Sequence, residues 1–402
     1  MVFTSLAHFV NDGGAFTVPL IVSILATEKF VSSLTIVMMP VVFYSASLML
    51  SMVVAAIADR AERPGLMIGL GLGITSAGLL GLAASMSWTS GALLAVTVLV
   101  STFVAGLGTA FYHPIGAAIL QAAYGDKSKG KALGINGGMG ALGRALYPSL
   151  FFAIASVVTN NGSIASLALV GVAASITVSV GLGRGHRAPS LSSSHRAEGP
   201  SDMPRNRITR PLVVLTLVAF VSSFAVQGVA SWIPTYLALQ KGLGISSSLG
   251  LALSGMYAAA IVGQPFFGYL VDRFEKRLVL AFSTLGSALS ILGYLFSSGI
   301  SNIAWLAILG FFTFSSFPLF LSLASDYVPR RSSSLSNALV WSLGVNGGGV
   351  VGPALVGAIA LSGYASWPTA FELMAVTALL AAAMIGLLHK PRENPGMLSL
   401  DA

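Results

Sequence analysis

Residues 183–210 read GRGHRAPSLSSSHRAEGPSDMPRNRITR, and this stretch decides how the chain is organised. It carries six arginines, is rich in Ser and Pro and has no apolar period, which is the composition of a flexible, solvated linker. On both sides the composition inverts. Of 402 residues, 55% are hydrophobic and 8% charged, with a mean hydropathy of +0.86. An ordinary soluble domain carries about a quarter charged residues, so these few charges cannot clothe a water-facing surface. Lipid must cover most of the outside, and a bilayer admits only helices or closed barrels. The apolar runs are continuous for about 20 residues or more, the length of a spanning helix and unlike the alternation of a barrel strand.

Working outward from the linker, the apolar runs fall at 1–26, 32–58, 64–86, 90–121, 131–158 and 162–182 before it. After it they fall at 211–239, 247–271, 277–298, 302–327, 334–361 and 366–388. The first run lacks a basic leader and is too long for a signal sequence, so it reads as a helix. The expected fold is an all-α membrane protein of twelve transmembrane helices in two pseudo-symmetric six-helix bundles. Residues 1–182 form one bundle, 183–210 the linker and 211–402 the other.

The halves echo each other. Asp59-Arg60 follows the second span and Asp272-Arg273 the eighth; Leu133-Gly-Ile-Asn136-Gly-Gly138 recurs as Leu343-Gly-Val-Asn346-Gly-Gly348. The offsets, 213 and 210 residues, suggest duplicated halves, a known transporter plan with substrate held between them near the midplane. Basic residues fill alternate loops: Arg60 and Arg63; Lys127, Lys129 and Lys131; the linker; Arg273, Lys276 and Arg277; Arg330 and Arg331; Lys390 and Arg392. The opposite loops hold Lys29 and Lys241. That asymmetry puts both termini and the linker on the cytoplasmic side. It also removes the nucleic-acid reading that a net charge of +8 invites, because the charges form no single patch. With no cysteine, a disulfide framework or thiolate site is excluded.

The loop signature Gly-x-x-x-Asp-Arg-x-x-Arg stands here as Ala55-Ala-Ile-Ala-Asp59-Arg60-Ala-Glu-Arg63, with alanine for glycine, and again as Gly268-Tyr-Leu-Val-Asp272-Arg273-Phe-Glu-Lys276-Arg277. On these residues the chain resembles the major facilitator superfamily over nearly its whole length. Within it, His8-Phe-Val-Asn11-Asp12, Tyr112-His113-Pro114 and the Asn136-Gly-Gly run look most like the fosmidomycin-resistance branch. Ile115 stands where that branch often has an acid. The resemblance implies alternating access, with Asp59, Arg60, Arg63, Asp272, Arg273, Arg277, Asp326 and Arg330 latching the cytoplasmic side. Ordinary positive-inside topology accounts for the same charges without a latch.

Ionisable groups inside a span cost roughly 2.5 kcal/mol or more at the centre and usually mark a pathway or a pair. Counting along the helices from the cytoplasmic ends, Asp12 lies about 16 Å deep, His113 about 16 Å and Arg144 about 20 Å. His8, Asn11 and Asp12 share a helix face. Asp12, with His113 and His8, is the candidate proton-coupling group, and Arg144 the candidate anion contact, since a guanidinium fork suits carboxylate or phosphonate. A static Asp12–Arg144 pair is the structural alternative, and it leaves room for neutral or cationic solutes.

The other candidate substrate contacts are Asn11, Tyr112, Asn136, Gln227, Trp232, Tyr236, Tyr257, Gln264, Asn337, Trp341 and Asn346, polar or aromatic groups that orient a ligand without charge. Trp232 and Tyr236 divide between cavity and interfacial belt. The glycine rows of the fifth and eleventh spans read first as close helix packing. No nucleotide loop, metal-spaced cluster or catalytic triad stands in the chain, so an enzyme is not expected, nor a cofactor beyond a driving H+. The functional expectation is proton-coupled transport of a small organic solute, anionic or drug-like, leaning to efflux by antiport. The alternative is symport of an organic or sugar acid, followed by divalent-metal transport through His8, Asp12 and His113. The expected setting is the plasma or inner membrane, multi-pass, with bilayer and small-molecule substrate as partners of a monomer.

Overall fold

The computed structural model describes residues 1–28, 30–58, 61–87, 91–184, 208–328 and 333–389. All regular structure among them is helical. The first half holds α1 (Val2–Glu28), α2 (Ser33–Ala58), α3 (Pro64–Ser85), α4 (Gly91–Thr109), α5 (Tyr112–Ala155) and α6 (Asn160–Arg184). The second holds α7 (Arg210–Leu239), α8 (Ser247–Arg273), α9 (Lys276–Phe296), α10 (Gly299–Thr313) and α11 (Phe317–Ala324). It ends with α12 (Ser333–Leu339), a π-helical stretch Val340–Asn346, α13 (Gly347–Ser362) and α14 (Trp367–Met384).

Eleven runs among the described residues are long and apolar enough to cross a bilayer. The twelfth is the second limb of α5. A straight helix would separate Tyr112 from Asn136 by about 36 Å, yet the Tyr112 hydroxyl lies 2.7 Å from Asn136 Oδ1. The chain therefore doubles back within α5, and the fourth and fifth spans stand side by side. That limb holds Lys131, Arg144 and a glycine row, which lowers its hydropathy without removing it from the bundle. Twelve helices in two bundles are thus the architecture.

Three spans are irregular, all where they reach the centre. The fourth breaks at 110–111 between α4 and α5, the tenth at 314–316 between α10 and α11, and the eleventh carries the π stretch. Non-helical backbone at membrane depth is tolerated where it lines a cavity. Helix starts follow ordinary rules: Thr209 caps α7 ahead of Pro211, and Ser366 caps α14 ahead of Pro368. Leu93, Val96 and Val100 form an exposed apolar stripe on α4, a face that only lipid covers well.

The halves meet through α1 with α7, α2 with α13 and α5 with α8. On the face away from the basic loops, one apolar core spans both, including Val18, Ile21, Leu25 and Met39 with Ile233, Leu237, Leu253 and Met256. On the basic face the core divides into a first-half cluster around Ala7, Ile68 and Phe111 and a second-half cluster around Leu215, Phe267 and Leu323. A small cluster of Ala117, Leu120, Leu133 and Leu321 crosses between them there. The cavity lies between these levels.

Candidate functional site: a charged cavity between the halves

A cavity of about 100 Å³ sits between the bundles. Eleven of the sequence-derived candidates line it: His8, Asn11, Asp12, Tyr112, His113, Asn136, Arg144, Gln227, Gln264, Trp341 and Asn346. The hub is Asp12, 3% exposed. Its Oδ2 receives Nη1 of Arg144, itself 4% exposed, and lies 3.3 Å from His8 Nε2. Its Oδ1 lies 3.1 Å from Asn11 Nδ2 and 3.4 Å from His113 Nε2. Gly140 makes this packing possible: a Cβ there would stand 2.5 Å from His8 Nε2 and 2.8 Å from Asp12 Oδ2.

Around the hub, His8 Nδ1 lies 2.9 Å from Asn136 Oδ1. The Tyr112 hydroxyl donates to Asn136 Oδ1 or to the Thr4 carbonyl, 2.9 Å away. The His8 ring is thereby held with Nε2 toward Asp12. His113 stacks on Trp341 of the π stretch, with centroids 3.7 Å apart at 27°, a first-half imidazole on a second-half indole. The Arg144 guanidinium also bridges the halves, resting 5.2 Å from the rings of both Phe16 and Phe314, within cation–π range.

Several buried polar atoms in this wall lack a hydrogen-bond partner: Arg144 Nε and Nη2, Trp341 Nε1, Asn11 Oδ1 and Gln264 Oε1. Leaving such groups unmade costs about 1–3 kcal/mol each, more for charged ones. Nε and Nη2 form one edge of the guanidinium, the fork that takes a carboxylate or phosphonate through two parallel bonds. Arg144 is therefore half used: Nη1 goes to Asp12, while Nε and Nη2 are buried without a hydrogen-bond partner. Ligand atoms of His8, Asp12 and His113 also lie within 4.8 Å of one another, a two-histidine, one-carboxylate donor set. A cation there would have to displace the Arg144 contact from Asp12.

Four expected cavity residues lie elsewhere. Trp232 donates from Nε1 to the Pro353 carbonyl at 2.8 Å and packs on Trp367. Tyr236 belongs to the same aromatic core, with Tyr294, Trp367 and Phe371. Tyr257 backs the site, packed behind Phe16 and Phe314. Asn337 sits toward the basic face, donating to Gln121 Oε1 across the halves at 3.0 Å. Apolar-all-round helices give no rotational signal, so the direction these four face was not readable.

Residues missed from sequence include Phe16, Phe43, Tyr44, Ser47, Ser231 and Phe317, all in the wall. Some were within reach: 8, 12 and 16 share a helix face, as do 40, 44 and 47. Tyr44 donates to Gln227 Oε1 at 2.9 Å, and Asn346 Nδ2 to Ser47 Oγ at 3.0 Å.

Of the gate residues, Asp59, Arg60 and Arg330 lie outside the described residues, and Arg63 directly precedes α3. Asp272 bridges the halves, accepting from the backbone N–H of Gly130 at 3.1 Å and of Lys131 at 2.7 Å. Arg273 lies over Tyr269, Arg277 pairs with Glu275 and bonds the Leu388 carbonyl, and Asp326 accepts from Lys276 at 2.5 Å. These four contacts stay within the second half.

A two-bundle helical frame enclosing a buried, charged, central cavity defines a polytopic membrane carrier. A family model for the Major Facilitator Superfamily matches residues 4–340 and 237–399, and the chain belongs to that family. Its members are membrane transporters, not enzymes. Among relatives, the chain is 24% identical over 367 residues to the uncharacterized MFS-type transporter YfnC of Bacillus subtilis, covering 90% of this chain and 85% of that one. It is 32% identical over 173 residues to the multidrug resistance protein MdtG of Salmonella typhi, covering 40% and 39%. Among solved structures it resembles the fucose:proton symporter FucP of E. coli at a TM-score of 0.63 and 15% identity, covering 96% and 98%.

Proposed function

We propose that this protein carries a small organic anion together with a proton, by alternating access of the cavity between the two halves. The observation that carries this reading is the half-used guanidinium: Arg144 holds Asp12 through Nη1 while Nε and Nη2 have no partner. An anion on the free edge places two negative groups on one cation in a buried site. At about 5 Å and an effective dielectric of about 20, that repulsion is worth about 3 kcal/mol. A proton on Asp12, or on His8 or His113 beside it, removes the repulsion. Anion and proton therefore favour each other's binding by roughly a hundredfold, and a pair that binds together travels together.

Antiport, toward which the sequence leaned, needs the opposite logic: substrate and proton must exclude one another, as a cationic drug on Asp12 would require. The names of the relatives point both ways, MdtG to drug resistance and FucP to proton symport. The unpartnered fork favours the anion. Across a plasma membrane with an inward proton gradient, this coupling drives uptake.

The test is reconstitution in proteoliposomes with a labelled carboxylate chosen by thermal-shift screening, with uptake into protein-free vesicles subtracted. Acid outside is expected to drive accumulation above equilibrium. Asp12→Asn is expected to keep exchange and lose gradient-driven accumulation. If Asp12→Asn still concentrates the anion, the coupling role is wrong.

A further inference from the structure

We infer that the anion is aromatic: a benzoate-like carboxylate carrying a hydrogen-bond acceptor on its ring. This rests on the anion reading of the cavity and goes beyond it to the body of the molecule. Eight rings from both halves line the cavity, Phe16, Phe43, Tyr44, Phe317 and Trp341 among them. Beside Arg144, the Phe16 and Phe314 rings pack edge-to-face at 5.5 Å, so the group that follows a bound carboxylate meets aromatic surface first. Aromatic contacts in offset or T-shaped geometry add about 0.5–1.5 kcal/mol beyond area burial, which a saturated ring of equal size does not gain.

The polar inventory narrows the class further. An amino acid needs an acceptor for its ammonium, and the Asp12 carboxylate is already surrounded by Arg144, His8, His113 and Asn11. A sugar acid brings a hydroxyl on nearly every carbon, and the wall is mostly rings, prolines and aliphatic groups. What stands unmet apart from the Arg144 edge is one indole donor, Trp341 Nε1, and a few acceptors, Gln264 Oε1 and Asn11 Oδ1 among them. Trp341 is 8% exposed, so its N–H has little recourse to water. A ring hydroxyl answers this set, accepting from the indole and donating to an amide oxygen.

Equilibrium binding to the purified full chain, followed by calorimetry at neutral pH, separates the possibilities with five probes. Benzoate is expected to bind at least about fivefold tighter than cyclohexanecarboxylate, although the latter is the more hydrophobic. It is expected to bind at least about tenfold tighter than benzamide, which has the ring without the charge. The better of 3- and 4-hydroxybenzoate is expected to gain about fivefold over benzoate, and in Trp341→Phe that gain disappears. Equal binding of benzoate and cyclohexanecarboxylate overturns the aromatic inference and leaves the anion reading standing. Equal binding of benzoate and benzamide overturns the anion reading itself. A hydroxyl gain that survives Trp341→Phe overturns the assignment of the indole as the ring's partner. No detectable binding of any carboxylate probe at millimolar concentration overturns the inference.

Discussion

The two halves share a frame and differ in charge. Gly143 on α5 packs against the Phe9 carbonyl of α1, and Gly352 on α13 packs against the Phe224 carbonyl of α7. These are the same close approach, made once in each bundle. Registered on it, Asp12 stands three residues after Phe9 where Gln227 stands three after Phe224, and Arg144 follows Gly143 where Pro353 follows Gly352. Asp12, Gln227 and Arg144 all line the cavity. The ion pair of the first half is thus replaced by a neutral amide and an imino acid in the second. On the proposed reading the first half carries the coupling chemistry, while rings and amides from both halves orient the cargo. A duplicated frame need not duplicate function: buried charge is costly, and one pair suffices.

The sharpest way to break this comparison is to remove the cation. Arg144→Ala leaves Asp12 buried without its counter-charge, and stability should fall by about 3–5 kcal/mol with transport at background. Adding Asp12→Asn should restore part of the melting temperature. A double variant no more stable than the single one would mean that the two groups are not energetically coupled.

Next in size is the transplant of the acid. Asp12→Asn with Gln227→Glu moves the carboxylate to the equivalent place in the other half, where no guanidinium follows the glycine. Gradient-driven accumulation should stay lost, measured in the same proteoliposomes as wild type. Recovery would show that either half can host coupling.

The repeated asparagines give a smaller contrast. Asn136 serves both His8 and Tyr112, whereas Asn346 donates across to Ser47. Asn136→Ala should cost about 2–3 kcal/mol and Asn346→Ala about 1 kcal/mol, read as thermal unfolding in detergent. Equal losses would erase the distinction between a wired and a merely packed copy. The last contrast concerns Asp272, which satisfies two backbone N–H groups of the opposite half. Asp272→Ala should cost about 0.5–2 kcal/mol and raise labelling of a cysteine placed at Leu321, an assay made simple by a chain with no native cysteine.

Much of the frame was legible because a bilayer leaves few choices: apolar length, basic loops and the Asn-Gly-Gly repeat each point to two six-helix bundles. The charged centre was legible for a related reason. Asp12, His113 and Arg144 are too costly at that depth to be incidental, and helix rise alone put them on one level. What the residues did not announce is rotation and irregularity. Trp232 and Tyr236 lie on helices apolar on every side, so nothing in their pattern says that they face the outer core and not the cavity. The breaks at 110–111 and 314–316 and the π stretch at Val340–Asn346 have no signature in the residue pattern, and Phe314, Phe317 and Trp341 reach the site at or beside the last two. Partners across the halves, such as Tyr44 with Gln227, depend on that packing too.

The central claim is that anion and proton bind Arg144 and Asp12 cooperatively. Titration calorimetry of a bound carboxylate, repeated in buffers of different ionisation enthalpy, counts the protons exchanged on binding. The account predicts uptake of up to about one proton per anion in wild type, greatest near the pH at which transport is half-maximal, and none in Asp12→Asn. Proton release on binding, or an uptake unchanged in Asp12→Asn, would contradict it.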